Sequence, residues 1–86
     1  MEETYIEPSR DEVVMAFVAS CIESVGDRLD LAYSEVIERM DAVGLIDKYI
    51  YDCYEALHTE SRENLTDNLV ETLMTWEKQK NDNGED

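Results

Sequence analysis

The sequence predicts a small, single-domain, all-α bundle of four helices around a central apolar helix, and three observations support this prediction. Residues 13–22 carry no charge, although 34% of the chain is charged. Apolar residues in the rest of the chain recur every three or four positions, which is typical of amphipathic helices. No segment alternates apolar and polar residues over the length of a strand. With 86 residues, the chain has room for one domain and one modest core.

The first helix is predicted over residues 10–25, after a short N-terminal arm of residues 1–8. Ser9 is a suitable N-cap and Glu12 stands three positions later, which together predict a capping box. The uncharged stretch in this helix has apolar positions on nearly all sides. We therefore expect the helix to be central and buried on several sides. Gly26 is expected to end it.

The second helix is predicted to follow a short connection and to end at Gly44. Its apolar side chains are spaced by three and four residues, whereas acidic side chains dominate the opposite face. We therefore expect one face of this helix to pack on the core. The apolar positions are Tyr33, Val36, Ile37, Met40 and Val43.

The third helix is predicted to start at Leu45 and to be the most regular of the four, with a break at residues 58–61. Its apolar residues form two adjacent rows at helical spacing, and its charged residues lie opposite them. One of these rows holds Leu45, Tyr49, Cys53 and Ala56.

Tyr51 is the exception in the third helix, because its position places an aromatic ring on the polar face. Aromatic side chains are enriched at protein interfaces. The outer face of the third helix is therefore a candidate partner-binding surface. The residues of this candidate surface are Tyr51, Asp52, Glu55 and His58.

The fourth helix is predicted to begin after a cap at Thr59 or Ser61 and to reach about Lys80. It carries a main apolar row and a second, adjacent row. The second row could mediate a homodimer, or it could be buried between two other helices. A polar, acidic and disordered tail is expected over residues 81–86. The main row holds Leu65, Leu69, Leu73 and Trp76, and the second row holds Val70 and Met74.

The composition is strongly acidic, with 22 acidic and seven basic residues and a net charge of −15 at pH 7. Nucleic acids and anionic membranes are bound through Lys and Arg, so direct binding to either is not expected. A basic protein partner would be attracted instead, although the charge could serve solubility alone. The start of the chain has no basic segment and no uncharged run is long enough to span a membrane. These features predict a cytoplasmic protein.

The residues capable of chemistry are few, and they predict no catalytic, cofactor or metal site. Cys21 and Cys53 are expected to be buried thiols, with a single disulfide between them as the alternative. The only histidine, His58, stands five residues after Cys53, which separates the two side chains by roughly 140° around a regular helix. A cysteine nucleophile with a histidine base is therefore not expected. One histidine and two cysteines are too few for a zinc site.

Several short motifs resemble a family of small bacterial proteins labelled domain of unknown function 3791. The motifs that carry the resemblance are Phe17-Val18, Cys21-Ile22-Glu23, Leu31, Glu35-Val36, Gly44-Leu45-Ile46-Asp47, Tyr54-Glu55 and Leu57-His58-Thr59. The resemblance implies a small helical protein. It also implies a gene beside one for an ADP-ribosyltransferase-like protein, in a setting similar to toxin–antitoxin modules.

Two functions from different classes follow as predictions. The first is a non-enzymatic protein that binds a partner protein, as the antitoxin-like member of a bacterial pair. The alternative is a phage-type nucleic-acid mimic, in which carboxylates imitate phosphates and block a DNA-binding protein. Mimicry requires the acidic residues to form one continuous face, whereas the sequence spreads them over all four helices and interrupts them with basic residues.

Overall fold

The structure is a computed structural model that describes residues 9–83, with side chains up to residue 82. These residues form helices and connections, and none of them lies in a strand, so the all-α prediction is confirmed. The elements are α1 (Arg10–Leu29), α2 (Tyr33–Val43), a π-helix (Ile46–Tyr51), α3 (Tyr54–Leu57) and α4 (Arg62–Asn83).

The start of α1 is as predicted, but its end is not. The Ser9 hydroxyl accepts a hydrogen bond from the Glu12 N–H, and the Glu12 carboxylate accepts one from the Ser9 N–H, each at 3.2 Å. The predicted end at Gly26 is wrong, because α1 continues through this residue and is capped by Asp30 in the left-handed conformation. Gly26 is buried, and a Cβ atom there would lie 3.0 Å from the Leu31 carbonyl oxygen. The glycine is therefore used for close packing.

The predicted end of α2 is confirmed, but its apolar face is confirmed at only four of the five predicted positions, because Tyr33 is 43% exposed. Val36 and Met40 are buried, while Ile37 and Val43 are partly buried against the same core. Gly44 follows the helix with φ at +74°, a left-handed conformation that glycine adopts without steric cost.

The third predicted helix is wrong as a regular helix. Residues 46–51 form a π-helix, residues 52–53 form a turn, and α3 has only four residues. A π-helix places more residues in each turn than an α-helix, so rows drawn at 3.6 residues per turn lose their register. Leu45 and Ile50 are buried. Ala56, which the prediction placed in the same apolar row as Leu45, is exposed, so that row does not continue to its end.

The start of α4 is as predicted, and its end is later. The Ser61 hydroxyl accepts a hydrogen bond from the Asn64 N–H at 3.2 Å, whereas the Thr59 hydroxyl donates to the Ala56 carbonyl. The helix ends at Asn83, so part of the predicted tail is helical. The predicted arm, residues 1–8, and the rest of the tail, residues 84–86, lie outside the described residues.

The core is built around α1, which contacts α2, the π-helix and α4. The prediction that α1 is buried on several sides holds for only part of its surface. Val13 is 39% exposed and Met15 is 51% exposed, so one side of the helix is uncovered. The buried side chains of the core are Val14, Val18, Cys21, Ile22, Val25, Val36, Met40, Leu45, Ile50, Leu57, Leu65, Leu69 and Leu73.

Candidate partner-binding surface

The four residues of the predicted surface lie where the first turn of α1 meets the π-helix and α3. Arg10 donates a hydrogen bond to the Glu55 carboxylate at 2.7 Å, and the Tyr51 hydroxyl donates one to the Asp11 carboxylate. Tyr51 is half-buried, because its ring packs partly against the core while its hydroxyl reaches the exposed Asp11, so the ring is only partly exposed on the polar face. The bond to Asp11 raises the pKa of Tyr51, because the carboxylate accepts a hydrogen bond from the neutral hydroxyl and thereby stabilises the protonated form.

Tyr54 is the centre of this cluster, and sequence reasoning missed it. The Phe17 ring meets it edge-on at 5.2 Å between centroids, the His58 ring stacks on it at 4.7 Å, and the Arg10 guanidinium lies 5.5 Å from its centroid. The spacing of the third predicted helix places Tyr54 in its second apolar row, with Ile46, Ile50 and Leu57, and this pattern gives no sign of polar neighbours. An arginine over an aromatic face is a favourable cation–π arrangement.

The structure brings three of the four predicted residues into contact with one cluster. Tyr51 contacts Asp11, Glu55 contacts Arg10, and His58 contacts Tyr54. The fourth residue, Asp52, lies in the exposed turn before α3. Asp52, Glu55 and His58 are all exposed to solvent. These residues are therefore accessible to a partner, and their role in binding stays a prediction.

Basic side chains join α4 to α1 and α2. Near the start of α4, Arg28 donates to Asp67 at 2.6 Å, and Arg62 donates to the Ser24 hydroxyl. Near its end, Lys80 donates to the carbonyl oxygen of Ala42 at 2.9 Å. The first half of α4 therefore lies against α1 and the second half against α2.

The ion pair between Arg39 and Glu77 is the most enclosed of these contacts. The Arg39 guanidinium donates two hydrogen bonds to the Glu77 carboxylate, at 2.6 and 2.8 Å, and this fork geometry is the strongest form of such a pair. The bonds from Arg39 lower the pKa of Glu77, and the bond to Glu77 raises the pKa of Arg39.

These contacts use most of the positive charge of the chain. Of its seven basic residues, five bind a partner on another element, and three carboxylates are paired in the process. The other carboxylates of the described helices face solvent without such an ion pair. The accessible charge is therefore predominantly negative. The five residues are Arg10, Arg28, Arg39, Arg62 and Lys80.

The second apolar row of α4 is largely used within the chain. Val70 is partly buried against the core, and Met74 is 43% exposed with its sulfur 3.9 Å from the Arg39 guanidinium. Burial within the chain therefore accounts for Val70. A homodimer through Val70 and Met74 stays a prediction.

The two cysteines are free thiols. Cys21 is buried and Cys53 is half-buried, and burial raises the pKa of the Cys21 thiol to about 12. The disulfide alternative is thereby excluded for this structure. A buried thiol that stays protonated is a poor nucleophile.

The described residues form several open grooves, and a small one of about 200 Å³ is lined by His58, Glu60, Ser20 and Ser24 among others. A larger one of about 510 Å³ lies between α1 and α4 and is crossed by the bond from Arg62 to Ser24. Within residues 9–83, no three histidine, cysteine or acidic side chains come together as metal ligands. No helix in this part of the chain is long and apolar enough to cross a membrane. The larger groove is lined by Ser24, Asp27, Arg28, Arg62, Glu63 and Thr66.

Comparison with known proteins gives one result. A family model described as "Protein of unknown function (DUF3791)" matches residues 16–76, which include most of α1, all of α2, the π-helix and α3, and most of α4. No curated protein and no solved structure matches the chain. The match covers well over half of the sequence, so this chain belongs to the DUF3791 family.

Proposed function

We propose that this chain is a non-enzymatic module that binds a basic protein partner. The observation that carries the proposal is the excess of exposed carboxylates, because five of seven basic residues are bound between elements and only three carboxylates are paired with them. The surface left to a partner is acidic. Complementary charge steers association and rejects acidic competitors.

The antitoxin-like role is the specific form of this proposal. An antitoxin-like protein acts by binding and restraining its partner, which requires an accessible surface and no catalytic group. Asp52, Glu55 and His58 are exposed, and the half-buried Tyr51 immediately precedes Asp52. In the proposed complex, the Asp52 carboxylate pairs with a cation of the partner while Glu55 stays bound to Arg10, and the rings of Tyr51 and His58 supply flat contact area.

Co-expression with the product of the neighbouring gene, followed by co-purification, tests this proposal. The two proteins are expected to purify together, and the complex is expected to weaken with added salt because screening reduces attraction between opposite charges. A clean failure to associate, with both proteins folded, would contradict the proposal.

A charge-reversed pair of variants locates the contact. Asp52→Lys is expected to weaken the complex, whereas Glu38→Lys, which makes the same charge change on the exposed face of α2, is the matched control. Equal losses in both variants would mean that only the total charge matters, and would remove the candidate surface from the proposal.

The nucleic-acid mimic is the second candidate, and one observation favours it. Glu63, Asp67 and Glu71 are exposed on α4 at intervals of four residues, so they form one acidic row. Arg28 binds the middle carboxylate, which weakens the likeness to a run of phosphates. If the chain is a mimic, duplex DNA should displace it from its partner in a competition assay. If the chain is not a mimic, the chain and the duplex DNA should bind the partner at the same time.

A further inference from the structure

One side of α1 is apolar and uncovered, although α1 is the helix on which the core is built. Val13 and Met15 are among the exposed large apolar side chains of the described residues, and Ala16 beside them is also exposed. We name this surface the outer face of α1. Its residues are Glu12, Val13, Met15, Ala16, Ala19 and Glu23.

The shape of the outer face suits a second helix. At 100° per residue, Ala16 lies in the middle of the face, with Val13 on one side and Met15 on the other. A small residue between two larger ones forms a shallow groove, into which the ridge of another helix can pack. The Ser20 hydroxyl donates to the Phe17 carbonyl of the same helix at 2.9 Å, so its hydrogen-bonding capacity is used locally.

The charges around the outer face specify what can cover it. Glu12 and Glu23 are exposed at its two ends, Asp11 is exposed beside the first end, and the neighbouring basic residue, Arg10, is bound to Glu55. A second copy of this chain would bring the same carboxylates against each other, at a net charge of −15 for each copy. A helix with basic residues beside its apolar stripe is complementary to the outer face of α1 both in apolar surface and in charge.

We propose that the outer face of α1 is the docking site for an amphipathic, lysine- or arginine-rich helix of the protein partner. The proposal rests on the proposed function and adds a surface to it. The apolar stripe of the partner helix packs on Val13, Met15 and Ala16, and its basic residues reach Glu12 and Glu23. Sequence reasoning missed this surface because it treated the whole uncharged stretch as core.

A titration with a defined probe tests the docking site without a known partner. The probe is a synthetic amphipathic peptide of about five helical turns, with leucine and alanine on one face and lysine on the other. NMR spectra of the isotope-labelled chain are expected to shift most at residues 12–23. Shifts confined to α2 and α4 would overturn the proposal.

Uncharged variants separate docking from general attraction. The double variant Val13→Gln/Met15→Gln keeps the net charge and is expected to weaken peptide binding about tenfold or more, since two buried apolar contacts are lost. Met74→Gln, at a methionine of similar exposure on α4, is the matched control and is expected to change affinity less than about twofold. Equal effects in the two variants would overturn the proposal.

Two further outcomes distinguish this inference from the proposed function. Sedimentation of the chain alone would reveal a dimer, and a dimer abolished by the double variant would overturn the proposal in favour of a second copy. Failure of the neighbouring gene's product to co-purify would count against the proposed function. The peptide titration would still show whether the outer face of α1 is a docking site.

Discussion

At the residue scale, the ion pair of Arg39 and Glu77 is expected to stabilise the fold more than the other ion pairs. It has two hydrogen bonds and both side chains are about a third exposed or less, whereas Arg28 and Asp67 are 40% and 59% exposed. Arg39→Ala is expected to lower the free energy of unfolding by about 1 kcal/mol, and Arg28→Ala by less than about 0.5 kcal/mol. Urea denaturation measures both values. Equal losses of stability in the two variants would contradict the prediction that the ion pair of Arg39 and Glu77 is the stronger one.

Glu77 also predicts a dependence of stability on pH. Arg39 lowers the pKa of Glu77 in the folded state, so this pair stabilises the fold above the unfolded-state pKa of the carboxyl group. That contribution is lost as pH falls through the lower, folded-state pKa. Glu77→Gln should therefore lose less stability than the wild type on acidification, as measured by thermal melts at several acidic pH values. Identical slopes of melting temperature against pH in Glu77→Gln and the wild type would contradict this prediction.

The two cysteines are expected to react at different rates. Burial raises the pKa of Cys21 to about 12, whereas Cys53 is half-buried. In the native protein at neutral pH, iodoacetamide should label Cys53 first and leave Cys21 unmodified until urea is added. Mass spectrometry of the digested protein reports each site. Early labelling of Cys21 would show that α1 opens more readily than its packing implies.

At the scale of elements, Gly26 shows where local sequence rules fail. A glycine-to-alanine substitution inside a helix usually stabilises by roughly 0.5–1 kcal/mol, because alanine is the better helix former. In Gly26→Ala the new Cβ would lie 3.0 Å from the Leu31 backbone oxygen and 3.5 Å from Val36. We expect a net destabilisation of about 1–3 kcal/mol, measured by urea denaturation. A stabilised variant would mean that the turn after α1 can move away.

Some features of the helices could be predicted from the sequence, and others could not. The caps at Ser9, Gly44 and Ser61 are set by neighbouring residues, and all three were predictable from sequence. The π-helix was not, because its register depends on which side chains the rest of the core accepts. The exposure of Met15 also depends on which sides of α1 the other helices cover.

For the candidate site, sequence identified the polar residues and missed their neighbours. Asp52, Glu55 and His58 could be predicted as exposed because they lie opposite the apolar rows. The contacts with Arg10 and Asp11 join residues at least 40 positions apart in sequence, so no local pattern could reveal them.

At the scale of the whole molecule, the net charge of −15 predicts a response to salt. Most carboxylates of the described residues have no basic partner, so their mutual repulsion should be screened as the Debye length falls to about 10 Å at 0.1 M salt. The melting temperature is therefore expected to rise between low and moderate ionic strength. Differential scanning calorimetry measures this, and a flat response would indicate that the carboxylates are compensated locally.

The central claim is that a basic partner binds this acidic domain on the outer face of α1. A photo-reactive amino acid in place of Ala16, in the complex with the neighbouring gene's product, tests it most directly, with the same substitution at the exposed Glu71 of α4 as control. The account predicts a cross-link from position 16 to a lysine- or arginine-rich helical segment of the partner, and none from position 71. A cross-link from position 71 alone would contradict it.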